Sequence, residues 1–317
     1  KGERLMLCIS DEECNYLIEN VEAINCIEKV LNSIGTVFLS QPLKPYLKFE
    51  NPNNRIIAMP AYLGDPFNVC GIKWIASFPD NLMINRPRAH CITILNDTKT
   101  GEPICVINSP YISICRTAAV SGVVIKKYIA SNIQKKKFNI GILGYGPIAR
   151  KHLDICKTLI KDKIGQILVY EPNFSNPIND INISCCWEEV YDKSDILIIA
   201  TNVQKGYIDR PLKKNSLIMN ISLRDFITKN LNLNSSVLTV VDKWDEVCRE
   251  GTNIEQLYKE EKINSKNVIL LSDLVKLQNN KLQNKTIFFN PMGMAIFDIA
   301  IASVVYNNKI LKEHKNG

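Results

Sequence analysis

Two hydrophobic rhythms divide the chain. From Phe138 onward, short apolar runs recur between polar stretches: FNIGIL (138–143), QILVYEP (166–172), DILIIAT (195–201), SLIMNIS (216–222), SVLTVVD (236–242) and KTIFFN (285–290). Short runs with few polar interruptions are what parallel strands covered on both faces require. Between the first two lies GYGPIARKHLDICKTLI, whose apolar spacing suits a helix. Strand, glycine turn, helix and strand make a parallel, right-handed βαβ unit. Residues from about 135 to 290 therefore read as a doubly wound nucleotide-binding domain.

Before Phe138 the pattern changes. Amphipathic spacing predicts a helix over 10–33, then short strands around 55–59, 69–76, 91–95 and 103–107. SICRTAAVSGVVIKKYIA (113–130) predicts a helix leading into the nucleotide domain. MAIFDIAIASVVYNNKILKEH (294–314) predicts a terminal helix that returns to the first domain. The expected class is α/β, a Rossmann-type doubly wound parallel sheet plus an α+β domain. The expected division is 1–114 with 291–317, and 115–290.

At 317 residues two domains are the natural expectation, and 46% apolar with 22% charged residues suits a soluble globular chain. No apolar run is long enough to span a bilayer, and KGERLMLCISDEEC lacks the apolar core of a signal peptide. A cytoplasmic protein with no membrane partner is expected. The eleven cysteines are scattered without a C-x-x-C pair, so they read as reduced thiols. His90, His152 and His314 are too far apart in sequence to suggest a metal site. The net charge of +7 is spread along the chain, with only Lys135, Lys136 and Lys137 in a run. That triplet reads as a solvated loop rather than a nucleic-acid contact.

The glycine turn carries the first chemical signal. Gly144, Gly146 and Ala149 form G-x-G-x-x-A, and Pro147 and Ile148 open the following helix. The first glycine permits the turn, the second lets the backbone approach a pyrophosphate, and the helix N-terminus offers free N–H groups. The bland alternative is an ordinary glycine turn, but its place between strand and helix favours a dinucleotide. Glu171, ending the second strand, can accept from ribose hydroxyls, and no arginine follows closely to welcome a 2′-phosphate. NAD is therefore expected over NADP, with Thr201 and Ser222 counted with the cofactor site.

A second signal is cationic. Lys44 in QPLKPYL, Arg55 in RIIAMP, Lys73 in GIKWI, Arg88 in RPRAHC and Arg116 in CRTAAVS sit in apolar or tightly turned segments. Singly, each is more often a surface side chain. Lys73 and Arg116 have apolar neighbours on both sides, which suggests an anionic ligand.

QPLKPYL, RIIAMP, GIKWI, ILND, RTAAVS, the glycine turn, NIS, VVDKW and NPMGMAIFDIA, in this order, resemble the ornithine cyclodeaminase/μ-crystallin family along nearly the whole chain. QPLKPYL and NPMGMAI resemble in particular its 2,3-diaminopropionate-forming dehydrogenases. The resemblance implies a homodimer whose first segment and terminal helix build a substrate and dimer domain. It implies that Lys73 and Arg116 bind a substrate carboxylate beside the nicotinamide, with Lys44 as a further carboxylate-binding base and Lys73 also catalytic, holding the developing charge of an imine. It matches Asp225, in NISLRD, to a catalytic aspartate, and Asp298 to an acid near the cofactor. The bland reading of Asp225 is a helix cap or turn acid.

The implied substrate is N-(1-amino-1-carboxy-2-ethyl)-glutamate, oxidised by NAD and hydrolysed to 2-oxoglutarate and 2,3-diaminopropionate. An amino acid with three carboxylates needs several cations, which Lys44, Lys73, Arg88 and Arg116 could supply; Arg55 is counted with them. Two departures from related sequences bear on the pocket: Phe297 stands where they carry glutamate, and His90-Cys91 replaces a Ser-Gly pair. Alternatives are ornithine cyclodeamination, another amino-acid dehydrogenase or imine reductase, and a non-catalytic crystallin-type binder.

Overall fold

A computed structural model of the chain describes residues 6–172 and 178–316. They form two compact units: the described residues up to Thr117 together with those from Gly293 onward, and Ala118–Met292.

The first unit opens with β1 (Leu7–Ile9), α1 (Asp11–Cys14) and α2 (Asn20–Ser33). The single helix expected over 10–33 is thus interrupted. Ser10 and Glu13 form a capping box on α1. Beyond it, the carbonyls of Tyr16 and Leu17 leave the helical ladder and accept from Lys312 Nζ and Asn308 Nδ2, both at 2.8 Å. Tertiary partners replace the helical hydrogen bonds there.

Next come β2 (Leu39–Ser40), β3 (Tyr46–Lys48), β4 (Arg55–Leu63), β5 (Val69–Ser77), β6 (Ala89–Asn96) and β7 (Pro103–Asn108). The sheet order is β1-β7-β6-β5-β4-β2, with β3 also on β4. β4 through β7 pair antiparallel, and β1 joins β7 in parallel. The four strands expected from the pattern all occur, and each runs longer than expected, β4 and β6 the most.

α3 (Tyr111–Ser131) carries the chain into the second unit. There follow β8 (Phe138–Leu143), α4 (Pro147–Ile160), β9 (Ile164–Tyr170), β10 (Asn182–Ile183), α5 (Trp187–Lys193), β11 (Ile196–Ile199) and β12 (Leu217–Asn220). Then come β13 (Val237–Val241), α6 (Trp244–Val247), α7 (Asn253–Lys259), β14 (Ile269–Leu270), α8 (Leu271–Leu274) and β15 (Thr286–Asn290). The sheet order is β10-β9-β8-β11-β12-β15-β13-β14, and every pairing is parallel. β11, β12 and β15 are buried at every residue, which is why their sequences are nearly unbroken apolar runs. The chain passes from β8 to β9 on one side and later returns to β11 on the other. The carboxyl ends of β8 and β11 therefore flank the switch point of a Rossmann-type sheet, where such folds bind ligands.

α9 (Ala295–Asn316) belongs to the first unit and packs on β4, β5, β6 and α2. It covers one face of the antiparallel sheet. The row Met59, Lys73, Thr93, Ile107 runs across that face in register, and all four are buried.

Candidate functional site

Apart from Arg55 and Arg88, the sequence-predicted residues gather into two constellations, one in each unit.

In the second unit, Gly144 adopts φ +85°, and a Cβ there would stand 2.5 Å from the Ala200 carbonyl oxygen. Only glycine allows this turn at the β8–β11 crevice. Gly146 is the N-cap of α4, with Pro147 next and no side-chain cap, and a Cβ on it would meet nothing within 4 Å. Uncapped N–H groups beside open space at a helix start suit a pyrophosphate. Ala149 is fully buried beneath the turn, while Pro147 and Ile148 are exposed. Glu171, following β9, accepts from the Tyr145 N–H through Oε2 at 2.8 Å. The acid at the end of the second strand is thus tied to the glycine turn itself.

His152 on α4 is fully buried. Its Nδ1–H donates to the Ile148 carbonyl at 2.7 Å, so Nε2 accepts from the Ser121 hydroxyl at 2.9 Å. Burial pushes its pKa down to about 4, which leaves the ring neutral as a brace for the helix start.

Asp225 lies in the loop after β12 and is fully buried. Its two oxygens accept from the Thr201 hydroxyl, just beyond β11, and from the Ser222 hydroxyl. Thr201, Ser222 and Asp225 therefore form one cluster. The Ser222 oxygen also lies 3.1 Å from the Ile199 carbonyl, so one hydroxyl hydrogen faces two acceptors. Burial raises the Asp225 pKa, opposed by the Ser222 and Thr201 hydroxyls. A buried carboxyl whose proton affinity is raised, held between two hydroxyls, is suited to proton transfer.

Sequence reasoning missed the support behind this loop. Leu223 has φ +68°, uncommon for a residue with a side chain. The Asn253 N–H donates to the Leu223 carbonyl at 2.7 Å. The Asn253 side chain accepts from the Phe226 N–H at 3.2 Å and donates to the Phe226 carbonyl at 2.9 Å. Asn220 Nδ2, at the end of β12, donates to Asn253 and to Asn290. In sequence these are three of many asparagines; only their shared burial marks them.

In the first unit, Lys73 on β5 points to the α9 side and is 1% exposed. Lys73 Nζ and Arg116 Nε, the latter on α3, both donate to Asp298 Oδ1, at 2.7 and 2.9 Å. Ser113 Oγ lies 3.3 Å from Lys73 Nζ. Asp298 is fully buried, and its Oδ2 has no hydrogen-bond partner. Burial lowers the Lys73 pKa; Asp298 opposes this and Arg116 adds to it. Gly293, with φ +87°, is as important as the charged groups. A Cβ there would fall 2.3 and 2.7 Å from Arg116 Nη1 and Nη2, and the Gly293 carbonyl accepts from Lys44 Nζ at 2.8 Å.

Lys44, Lys73, Arg116 and Asp298 are thus brought together. Arg55 is not in that cluster: it pairs with Ser77, four residues along β5 on the same face, about 13 Å from Lys73 along the strand. Ser77 also pairs with Ala89, so Arg88 lies at the same end of the sheet as Arg55. Cys91 is buried beside this cluster, and Phe297 is fully buried. Among the described residues no group of three or more His, Cys, Asp or Glu is placed to hold a metal, and no helix is long and apolar enough to cross a membrane.

Comparison with known proteins covers the chain across both units. The model of the ornithine cyclodeaminase/mu-crystallin family matches residues 3–313. N-((2S)-2-amino-2-carboxyethyl)-L-glutamate dehydrogenase of Staphylococcus aureus is 34% identical over 291 residues, covering 84% of this chain and 83% of that protein. Alanine dehydrogenase of Archaeoglobus fulgidus is 27% identical, covering 96% of each. The structure of Thermococcus litoralis Delta(1)-pyrroline-2-carboxylate reductase in complex with NADH and L-proline superposes with a TM-score of 0.83 at 26% identity, covering 97% of this chain and 98% of that one. With the glycine turn, the acid after the second strand and the buried Lys-Asp-Arg cluster in place, the chain belongs to the ornithine cyclodeaminase/mu-crystallin family.

Proposed function

We propose that this protein is an NAD-dependent dehydrogenase acting on N-(1-amino-1-carboxy-2-ethyl)-glutamate, with 2-oxoglutarate and 2,3-diaminopropionate as products, for siderophore or antibiotic synthesis. The observation that carries this reading is the buried Lys73–Asp298–Arg116 cluster, with Lys44 beside it and Arg55 and Arg88 farther along the same sheet. Separated cations on one sheet suit an acid with several carboxylates. The similarity to the Staphylococcus aureus enzyme named for this substrate supports the same choice.

The second unit fits the cofactor, with open space at Gly146, uncapped N–H groups on α4, and Glu171 for ribose hydroxyls. NAD, held at the Gly144–Gly146 turn and by Glu171, would supply the acceptor for a hydride leaving the glutamate α-carbon. Lys73 and Arg116 hold the carboxylate on that carbon and fix its orientation. As the hydride leaves, the amine nitrogen gives up its proton and the C–N bond becomes an imine; Asp225 is the base assigned to that proton. Asp225 returns that proton to the imine nitrogen and, a carboxylate again, takes a proton from water as the water oxygen adds to the imine carbon. Proton return to nitrogen breaks the C–N bond and releases the amine and the 2-oxo acid.

We further assign a homodimer in the cytoplasm. The sheet face opposite α9 carries Ile72, Trp74, Ile92 and Ile94, with Trp74 41% and Ile92 40% exposed, an apolar face suited to a second copy.

The test is to supply the synthetic adduct with NAD, follow NADH and identify both products by mass. Stoichiometric NADH, 2-oxoglutarate and 2,3-diaminopropionate are expected. No NADH from the adduct would sink the reading; proline and ammonia from ornithine without lasting NADH would replace it with cyclodeamination.

A further inference from the structure

Asp298 is bonded in a lopsided way. One oxygen accepts from both Lys73 and Arg116, and the other is buried without a partner. A carboxylate retained only to tie elements together would be expected to satisfy both oxygens. The three side chains come from three elements, β5, α3 and α9, and their formal charges sum to a single positive charge. Arg116 this close disfavours the charged form of Lys73, and the Asp298 carboxylate between them opposes that.

We propose that Asp298 is a positioning residue for substrate binding: it keeps Lys73 charged beside Arg116 and holds the two at fixed spacing, so that the pair meets one carboxylate with a net single positive charge. This rests on the reading of Lys73 and Arg116 as carboxylate-binding groups. It also gives the fixed arginine geometry a cause, since Nε is held by Asp298 while Nη1 and Nη2 lie over Gly293. The groups facing Lys73 are Asp298 from α9, Arg116 and Ser113 from α3, and Cys91 and Thr93 from β6. Burial pushes the Cys91 thiol up to about 11, above the pH range of the measurement.

Asp298→Asn keeps the shape and removes the charge. Thermal unfolding of wild type, D298N, K73M and the double variant is followed from about pH 7 to about pH 10. In the folded protein the Lys73 pKa lies below its unfolded value, and losing Asp298 lowers it further. Between the two values the unfolded chain binds more protons, so stability rises with pH. D298N should therefore lose most Tm near neutrality and regain part of it as pH rises. In the K73M background the same substitution should cost a pH-independent amount. If D298N alone does not fold, K73M should restore folding by removing one of two adjacent buried cations.

An equal Tm loss at every pH in both backgrounds, or no rescue by K73M, would overturn the proposal. With the adduct, KM should rise about tenfold in D298N while NADH affinity holds. A wild type that ignores the adduct sinks the substrate assignment alone, because the unfolding arm needs no substrate.

Discussion

Lys73 is buried on the α9 side of β5 and donates to Asp298. In GIKWI its apolar neighbours on both sides suggest a buried strand. In the fold, Ile72 and Trp74 point to the opposite face, and Trp74 is among the exposed large apolar residues. Side chains alternate along a strand, so apolar flanks describe the other face of the sheet rather than the lysine's surroundings. The lysine is buried because α9 and α3 deliver Asp298 and Ser113 to it. Gly293 shows the reverse situation: a glycine in NPMGMAI has an evident meaning only once Arg116 is seen against it. Gly293→Ala should displace the guanidinium and raise KM for carboxylate substrates. The positive φ should cost about 1–2 kcal/mol in stability, read by urea unfolding.

At the scale of elements, apolar runs predicted all the main parallel strands, because burial on both faces leaves little room for polar residues. The helix over 10–33 was not legible as two pieces, since the break depends on Asn308 and Lys312, nearly three hundred residues away. The loop bearing Asp225 is similar. Its motif stands in the sequence, but its support by α7 through Asn253 does not. Asn253→Ala would leave the Phe226 N–H and carbonyl buried without their partner, a loss of about 2–4 kcal/mol by unfolding. We expect kcat to fall with it while NADH affinity changes little; an unchanged kcat would detach Asn253 from the positioning of Asp225.

For the whole molecule, the face of the antiparallel sheet opposite α9 is the feature with the widest consequence. Ala58, Trp74 and Ile92 form one row across it, and Pro60, Ile72, Ile94 and Val106 another. A second copy covering these rows would account for apolar side chains on both faces of β5 and β6. Trp74→Glu with Ile92→Lys should convert the expected dimer to monomer in sedimentation velocity, since both side chains are substantially exposed in the single chain. Persistence of the dimer would move the interface elsewhere.

By itself the sequence determined the Rossmann-type sheet, the glycine turn and the acid that follows its second strand. These are local devices, written in contiguous residues because each acts through periodicity or through the backbone of one turn. The tertiary structure alone decided that Lys73, Arg116 and Asp298 share one buried oxygen, that Gly293 makes room for the guanidinium, and that Asn253 holds the Asp225 loop. Those partners lie far apart along the chain, and a buried charge or amide acquires its meaning from what packing brings within hydrogen-bond distance.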